Sequence, residues 1–361
     1  MGSQLVDISD IAEMLNQRIG ELTRELLPGG RRDGHEWRCG SVAGEPGGSM
    51  AVKLVGAKCG VWSDFSSGEC GDALDLVSAV LFHGDKGEAV KWSRSWLGLD
   101  NLDPARLEQR RREAKVAADK RDKDAAAEAL KMRNKARAIF IGAQPDIIKT
   151  PVYRYLLLRG IDINVLPKVP GSLRFEPNCW CMETKTELPA MVACVQDGDG
   201  QHIATHRTYL QRQHDGTWKK APLEDAKKTL GSFRGGFITL NRGASGKPLR
   251  QAPEGDHVFL AEGIETGLSL AVEMPEVRVL AGVSVSNFAN LALPAACSSI
   301  TIAADNDGDN AQAKGALDRA VERFIGEGRS VRVIHSPVGK DFNDLLQWQK
   351  RAVIEAARRM S

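Results

Sequence analysis

The sequence predicts an α/β protein whose functional centre lies at the carboxyl ends of parallel strands in its C-terminal third. Two segments carry that expectation. Val258-Phe-Leu-Ala-Glu262-Gly263-Ile-Glu265 and Ile300-Thr-Ile-Ala-Ala-Asp305-Asn-Asp307-Gly308-Asp309 are each an apolar run that ends abruptly in carboxylates and glycine. Residues 258–261 and 300–304 read as buried parallel strands. Carboxylates just past such strand ends fall in the crevice where open α/β sheets bind ligands. Converging acidic groups repel one another unless a cation sits between them, and oxygen ligands beside phosphate-bearing substrates favour Mg²⁺. The residues alone therefore point to Mg²⁺-dependent phosphoryl-transfer chemistry.

The rest of the chain divides in order. Residues 1–98 form a first unit, with a helical pattern (Ile8, Ile11, Met14, Leu15, Ile19) that ends near Pro28-Gly29-Gly30, short strand-like pieces, and a helix after Gly71-Asp72. Residues 99–137 are a charged linker; within it, 104–137 holds twelve Lys/Arg against six Asp/Glu and several alanines, a solvated helix without a broad apolar face. Residues 138–253 form a central α+β unit, 254–350 the catalytic α/β unit, and 351–361 a basic amphipathic tail. At 361 residues, two or three domains are expected. The net charge of +2 leaves nucleic-acid affinity to local basic patches rather than to the global field. Seven scattered cysteines form no disulfide framework and suit a reducing cytosol. No apolar stretch approaches the ~20 residues of a membrane span and no signal peptide opens the chain, so a cytoplasmic location is expected.

The central unit is expected to contact phosphates. Gln201–Leu210 alternates as a strand that sends Arg207 and Tyr209 to one face, and Lys219, Lys220, Lys227, Lys228 and Arg234 follow. Lysine meets phosphate as a point charge and arginine as a fork. His202 and His206, four apart without a third ligand, read as structural. Two motifs are decoys. Asp197-Gly198-Asp199-Gly200 repeats the Asp-x-Asp spacing, but Asp-Gly is the chemistry of a tight hairpin turn. Gly243-Ala-Ser-Gly246-Lys247-Pro248 lacks the spacing and the Ser/Thr of a phosphate-binding loop, and its proline blocks the helix such a loop needs. Helicase activity in this chain is therefore not expected.

These elements resemble the Toprim domain shared by bacterial-type primases, type IA and II topoisomerases and some nucleases. Glu262-Gly263 resembles its glutamate-glycine pair and Asp305-Asn306-Asp307 its Asp-x-Asp, while Gly339-Lys340-Asp341-Phe342-Asn343-Asp344 is similar to the segment that closes the primase version. Lys227-Lys228-Thr-Leu-Gly231 resembles the basic element ahead of Toprim in primases. Where those primases carry Asp four residues after the glutamate, this chain has Thr266, with Glu265 one step earlier, and Asn343 stands where aspartate is common. Such shifts resemble the divergent phage and plasmid branch. Primases of this type often begin with a zinc ribbon. His35, Cys39, Cys59 and Cys70 are near one another in sequence, but no Cys-x₂-Cys pair exists, so a zinc-ribbon-like unit without zinc is expected, held by burial of Trp62, Phe65, Leu74 and Leu76.

The resemblance implies a DNA primase that makes short RNA primers on single-stranded DNA from nucleoside triphosphates, beside a separate replicative helicase. It implies Glu262, Asp305, Asp307 and Asp341 as catalytic residues, the first three as ligands of Mg²⁺ (or Mn²⁺), with Glu262 acting as ligand or general acid/base. Arg207, Lys219, Lys220, Lys228, Arg234 and Lys340 are the expected DNA and substrate contacts. A Toprim nuclease and a non-catalytic DNA-binding adaptor are the alternatives. Topoisomerase activity is disfavoured, since only three tyrosines are present and none sits in a recognisable nucleophile domain.

Overall fold

A computed structural model describes residues 7–100, 102–306, 308 and 310–360, the side chains of 357–360 excepted. The chain separates into two compact units, residues 1–128 and 129–361.

The first unit begins with α1 (Ile8–Gln17) and α2 (Ile19–Leu26), which meet at Arg18, where the backbone leaves helical geometry. Five short strands follow: β1 (Arg31–Asp33), β2 (Glu36–Cys39), β3 (Met50–Lys53), β4 (Trp62–Asp64) and β5 (Cys70–Gly71). They pair antiparallel in sequence order. Then come α3 (Ala73–Phe82), α4 (Lys86–Trp96) and the long α5 (Pro104–Gly142), which starts in this unit and ends in the next. Asp72 caps α3 in a reciprocal box with Asp75, so the Gly71-Asp72 boundary legible in the sequence is a true helix start. Ile11, Leu15, Leu22, Met50, Val52, Trp62, Leu74 and Leu76 share one core. Phe65 does not join them: it is 66% exposed. Its neighbour Asp64 takes the inward place instead, accepting from Ser66 N at 2.8 Å in the turn after β4. The first half of α5 is mostly exposed, but Arg111 and Arg121 pair with Asp10 and Glu13 of α1, each at 2.8 Å. Its positive excess is thus partly spent inside the unit.

In the second unit α6 (Pro151–Leu158) precedes a meander of β6 (Leu173–Cys181), β7 (Thr186–Gln196) and β8 (His202–Arg212). β9 (Trp218–Lys220) and β10 (Lys227–Gly231) both pair with β8. The Asp197–Gly200 segment is the hairpin turn between β7 and β8: Asp197 Oδ1 accepts from the backbone of Asp199 and Gln201 at 3.1 and 2.8 Å, and Gly200 has φ +82°. Next come β11 (Ile238–Arg242), β12 (His257–Ala261), α7 (Ile264–Glu273), β13 (Arg278–Ala281), α8 (Val285–Phe288), β14 (Ser299–Ala304), α9 (Ala311–Gly326), β15 (Ser330–His335) and α10 (Phe342–Met360). Their sheet runs β11-β13-β12-β14-β15, parallel except for β11 at the edge. β11 lies in the stretch expected to belong wholly to the central unit, yet it pairs with β13. The loop after it carries no phosphate-binding geometry; Lys247 O and Ser245 Oγ instead accept from buried Arg278 at 3.0 and 3.2 Å.

Both faces of this second sheet are covered. Ile264 and Leu268 of α7 and Leu346 of α10 pack on one side, and Phe288 of α8 with Ala320 and Phe324 of α9 on the other. That is why β12 and β14 are apolar without alternation. Each fully buried Leu or Ile contributes roughly 1.5–3 kcal/mol. Among the described residues no helix is long and apolar enough to cross a membrane.

Candidate active site

In the register of β12 and β14, Ala261 lies opposite Ala303, so the two central parallel strands end nearly level. Glu262 immediately follows β12 and Asp305 immediately follows β14. The winding reverses between these strands, since β13 lies to one side of β12 and β14 to the other, and such switch points open ligand crevices. A third carboxylate arrives from the loop before α10. Asn306 holds that loop: its N–H donates to Lys340 O at 2.7 Å and its Nδ2 to Ser336 O and Gly339 O, each at 2.9 Å. Asp341 Oδ1 accepts from the backbone of Asn343 and Asp344 at 2.8 and 3.0 Å, capping α10. Asn343, fully buried, donates to Arg159 O and Ser269 Oγ at 2.9 Å each, tying the end of α6 to α7 and α10.

Glu262, Asp305 and Asp341 line one crevice. Asp307 lies outside the described residues. Among the described residues no three His, Cys, Asp or Glu side chains close into a complete metal-binding group. A Mg²⁺ ion bound through one or two carboxylates, with the remaining positions filled by water and substrate phosphate, does not need one. Glu262 and Asp305 fit that mode, because hard oxygen donors sit at the strand ends.

Cations face into the same crevice. Lys220 comes from β9, Lys227 from β10, Arg159 follows α6 and Lys340 precedes α10. Glu265, only 3% exposed, binds three of its neighbours: Lys220 Nζ at 3.1 Å, Lys227 Nζ at 3.0 Å and the Tyr155 hydroxyl, which donates at 2.7 Å. Burial alone would raise the Glu265 carboxyl, but the two ammonium groups and the tyrosine hold it well below its ordinary range. Burial pushes Lys220 down against the pull of Glu265, whereas at Lys227 the same carboxylate outweighs burial and the ammonium lies above its usual value. His206 also lines the crevice, bonded through Nδ1 to Thr229 Oγ1 at 2.9 Å. Burial, then the Lys227 charge, pushes its imidazole down to about 4, so it is neutral at neutral pH. Val283, another lining residue, has φ +71°, a conformation rare for a β-branched side chain and costing about 1–3 kcal/mol.

Of the residues singled out in the sequence, Glu262, Glu265, Asp305, Asp341, Lys220, Lys227, Lys340 and His206 meet here. Arg207 and Lys228 pair across β8 and β10 on the opposite face of the middle sheet, where the Arg207 guanidinium lies 5.8 Å from the Tyr209 ring and Lys228 pairs with Asp225 at 3.3 Å. Lys219 is exposed on the alternate face from Lys220. Arg234 lines a separate cleft with Phe233, Ser286 and Asn290. Arg159 and Tyr155 carried no motif, and only the packing of α6 brings them to the site. His206 was legible as structural, and its hydrogen bond to Thr229 agrees, although it also lines the crevice.

Residues 257–352 match the Toprim domain family, and residues 130–240 match a family described as a domain of unknown function (DUF7146). No curated protein matches the chain. Among solved structures, the chain is similar to the zinc-binding and RNA polymerase domains of the Aquifex aeolicus primase, at 17% identity and a TM-score of 0.38, over 99% of this chain and 86% of that one. It is similar to the primase fragment of the bacteriophage T7 primase-helicase at 19% identity and a TM-score of 0.36, over 56% and 72%. The E. coli primase catalytic core is similar at 14% identity and a TM-score of 0.40, over 62% and 78%.

Proposed function

We propose that this chain, which carries a Toprim domain at residues 257–352, is a primase that makes short RNA primers on single-stranded DNA by Mg²⁺-dependent nucleotidyl transfer. One observation carries the reading: Glu262 and Asp305 stand side by side at the switch point of the parallel sheet, in a crevice that also holds Arg159, Lys220, Lys227 and Lys340. Acidic groups for a hard cation beside basic groups for phosphate are what a nucleoside triphosphate requires.

Bound Mg²⁺, or Mn²⁺ in its place, would neutralise charge on the reacting phosphates. Glu262, Asp305 and Asp307 would hold it, with Asp341 in support from the loop that caps α10. The four cations bind the triphosphate and orient its α-phosphorus. The 3′-hydroxyl of the growing primer gives its proton to Glu262 or to water as its oxygen attacks that phosphorus; the new phosphodiester bond forms, and pyrophosphate leaves with the electron pair of the broken bond between the α-phosphorus and the bridging oxygen. Lys220 and Lys227 hold the triphosphate alike before and during the step, so they set nucleotide affinity rather than the rate of bond exchange.

The face of the middle sheet that carries Arg207, Lys228 and Lys219, partly covered by the end of α5, and the cleft of Arg234 are assigned to the DNA strand. Replacing Lys228 by alanine should lower the salt slope of DNA binding by about one unit per lost phosphate contact; an unchanged slope would place the strand elsewhere. The amino-terminal sheet is taken as zinc-free. Cys39 donates to Ser41 O at 3.3 Å and Cys59 to Leu54 O at 3.2 Å, and burial raises both thiols, Cys39 to about 11. Stoichiometric zinc in the purified protein, with unfolding on chelation, would overturn that assignment. A separate helicase partner and a cytoplasmic location belong to the same reading.

The deciding experiment incubates the protein with single-stranded DNA, labelled nucleoside triphosphates and Mg²⁺, and scores extension and cleavage together. Template-dependent oligoribonucleotides are expected. Cleavage without extension would make the crevice a nuclease site, and neither activity would leave a DNA-binding adaptor.

A further inference from the structure

We propose that Glu265 is a positioning residue whose buried carboxylate clamps Lys220 and Lys227 side by side, so that the pair seats the triphosphate of the incoming nucleotide. The inference rests on the nucleotidyl-transfer reading and deepens it.

Glu265 sits in the first turn of α7, and both of its oxygens are engaged: Oε1 accepts from Lys220 and from Tyr155, and Oε2 accepts from Lys227. Its side chain is 4% exposed, whereas those of Lys220 and Lys227 keep about a third of their surface open toward the crevice. An ammonium group has three donors. Each lysine gives one to Glu265, which leaves the others for phosphate oxygens. The two lysines come from different strands, opposite Leu210 and Thr208 on one face of β8, so nothing in the backbone links their heads. Like charges held that close repel. A single carboxylate between them removes the repulsion and fixes the spacing. Tyr155, almost fully buried, fixes the carboxylate in turn.

The role differs from that of Glu262. Both line the crevice, but Glu262 is half-buried at a strand end, whereas Glu265 is buried with both oxygens held by the lysines and Tyr155, and acts through the lysines. Glutamine at this position keeps the shape and removes the charge. The test measures, on the full chain, calorimetric binding of inorganic tripolyphosphate and of ATP, together with kcat and KM for primer synthesis. Glu265→Gln should raise the tripolyphosphate Kd and the nucleotide KM about tenfold or more, with kcat within about threefold. Lys220→Met should weaken binding alone, and the double variant Glu265→Gln/Lys220→Met should bind no worse than Lys220→Met, because one ammonium no longer faces another. The double variant also lacks the charge imbalance, so it keeps the idea testable if the single variant does not fold. Wild-type Kd and KM in Glu265→Gln, or additive losses in the double variant, would overturn the clamp. A wild-type protein that binds neither probe and extends nothing would instead overturn the nucleotidyl-transfer reading, and the clamp with it.

Discussion

Asp305 and Asp197 show one local pattern, Asp-x-Asp, in two physical settings. Asp197 bonds its own turn, satisfying backbone donors two and four residues on. Asp305 follows a strand buried on both faces and lines the crevice. Asp305→Asn or Asp307→Asn is therefore expected to cut primer synthesis by orders of magnitude while folding survives, since it removes a full charge from the proposed Mg²⁺ site. Stability at Asp305 is expected to hold or rise, because like charges crowd there. Asp197→Asn should leave activity near wild type, and equal loss at both positions would sink the assignment. His206 makes a prediction in pH. Its folded value of about 4 lies below the ordinary 6.5, so the unfolded chain binds more protons between those values. The stability it contributes is complete above pH 6.5 and is lost as pH falls toward 4, on the order of 3 kcal/mol. In urea melts at pH 7 and pH 5, His206→Asn should show a smaller acid loss than wild type; identical losses would place the effect in the carboxylates.

At the scale of elements, α10 and the loop before it do two jobs through one residue. Asp341 caps the helix and also lines the crevice. Alanine there removes the cap and should cost about 1 kcal/mol, whereas asparagine keeps it. A loss of activity in Asp341→Asn at unchanged melting temperature would assign the charge to catalysis, and full activity would leave Asp341 as a cap only. The sequence made this loop recognisable through Gly339-Lys340-Asp341, but not the role of Asn343. That side chain is an asparagine because it donates twice inside the protein, to Arg159 O and Ser269 Oγ, which an aspartate does not do. The helix of 104–137 was legible from composition. Its ion pairs to Asp10 and Glu13 were not, because its partners lie about a hundred residues away.

For the whole molecule, the candidate site belongs to residues 129–361 alone, which hold both the acidic groups and the cations. A fragment of those residues is expected to bind nucleoside triphosphate with Mg²⁺ within about threefold of the full chain, by calorimetry. Since Arg207, Lys219, Lys228 and Arg234 also lie in those residues, template-dependent primer synthesis is expected to persist in the fragment, and its loss would assign template guidance to the amino-terminal unit.

The α/β class, the two buried strands and the acidic groups at their ends were legible in the sequence, because an apolar run that stops at a carboxylate reports burial and its limit within a few residues. The hairpin at Asp197 was legible for the same reason, as turn chemistry is local. Trp62 and Leu76 followed their apolar character inward, while Phe65 did not, since the turn after β4 gave the inward place to Asp64. Which basic residues face the crevice was set by packing between distant segments. Strand register puts Lys220 and Lys227 on one face of the middle sheet and Arg207 and Lys228 on the other, and a shift of one residue would exchange them. Packing alone brought Tyr155 of α6 and Arg159 just after it to the site and buried Glu265 between two lysines. Those contacts join segments up to 110 residues apart, and their energy depends on packing and charge pairing that no local pattern encodes.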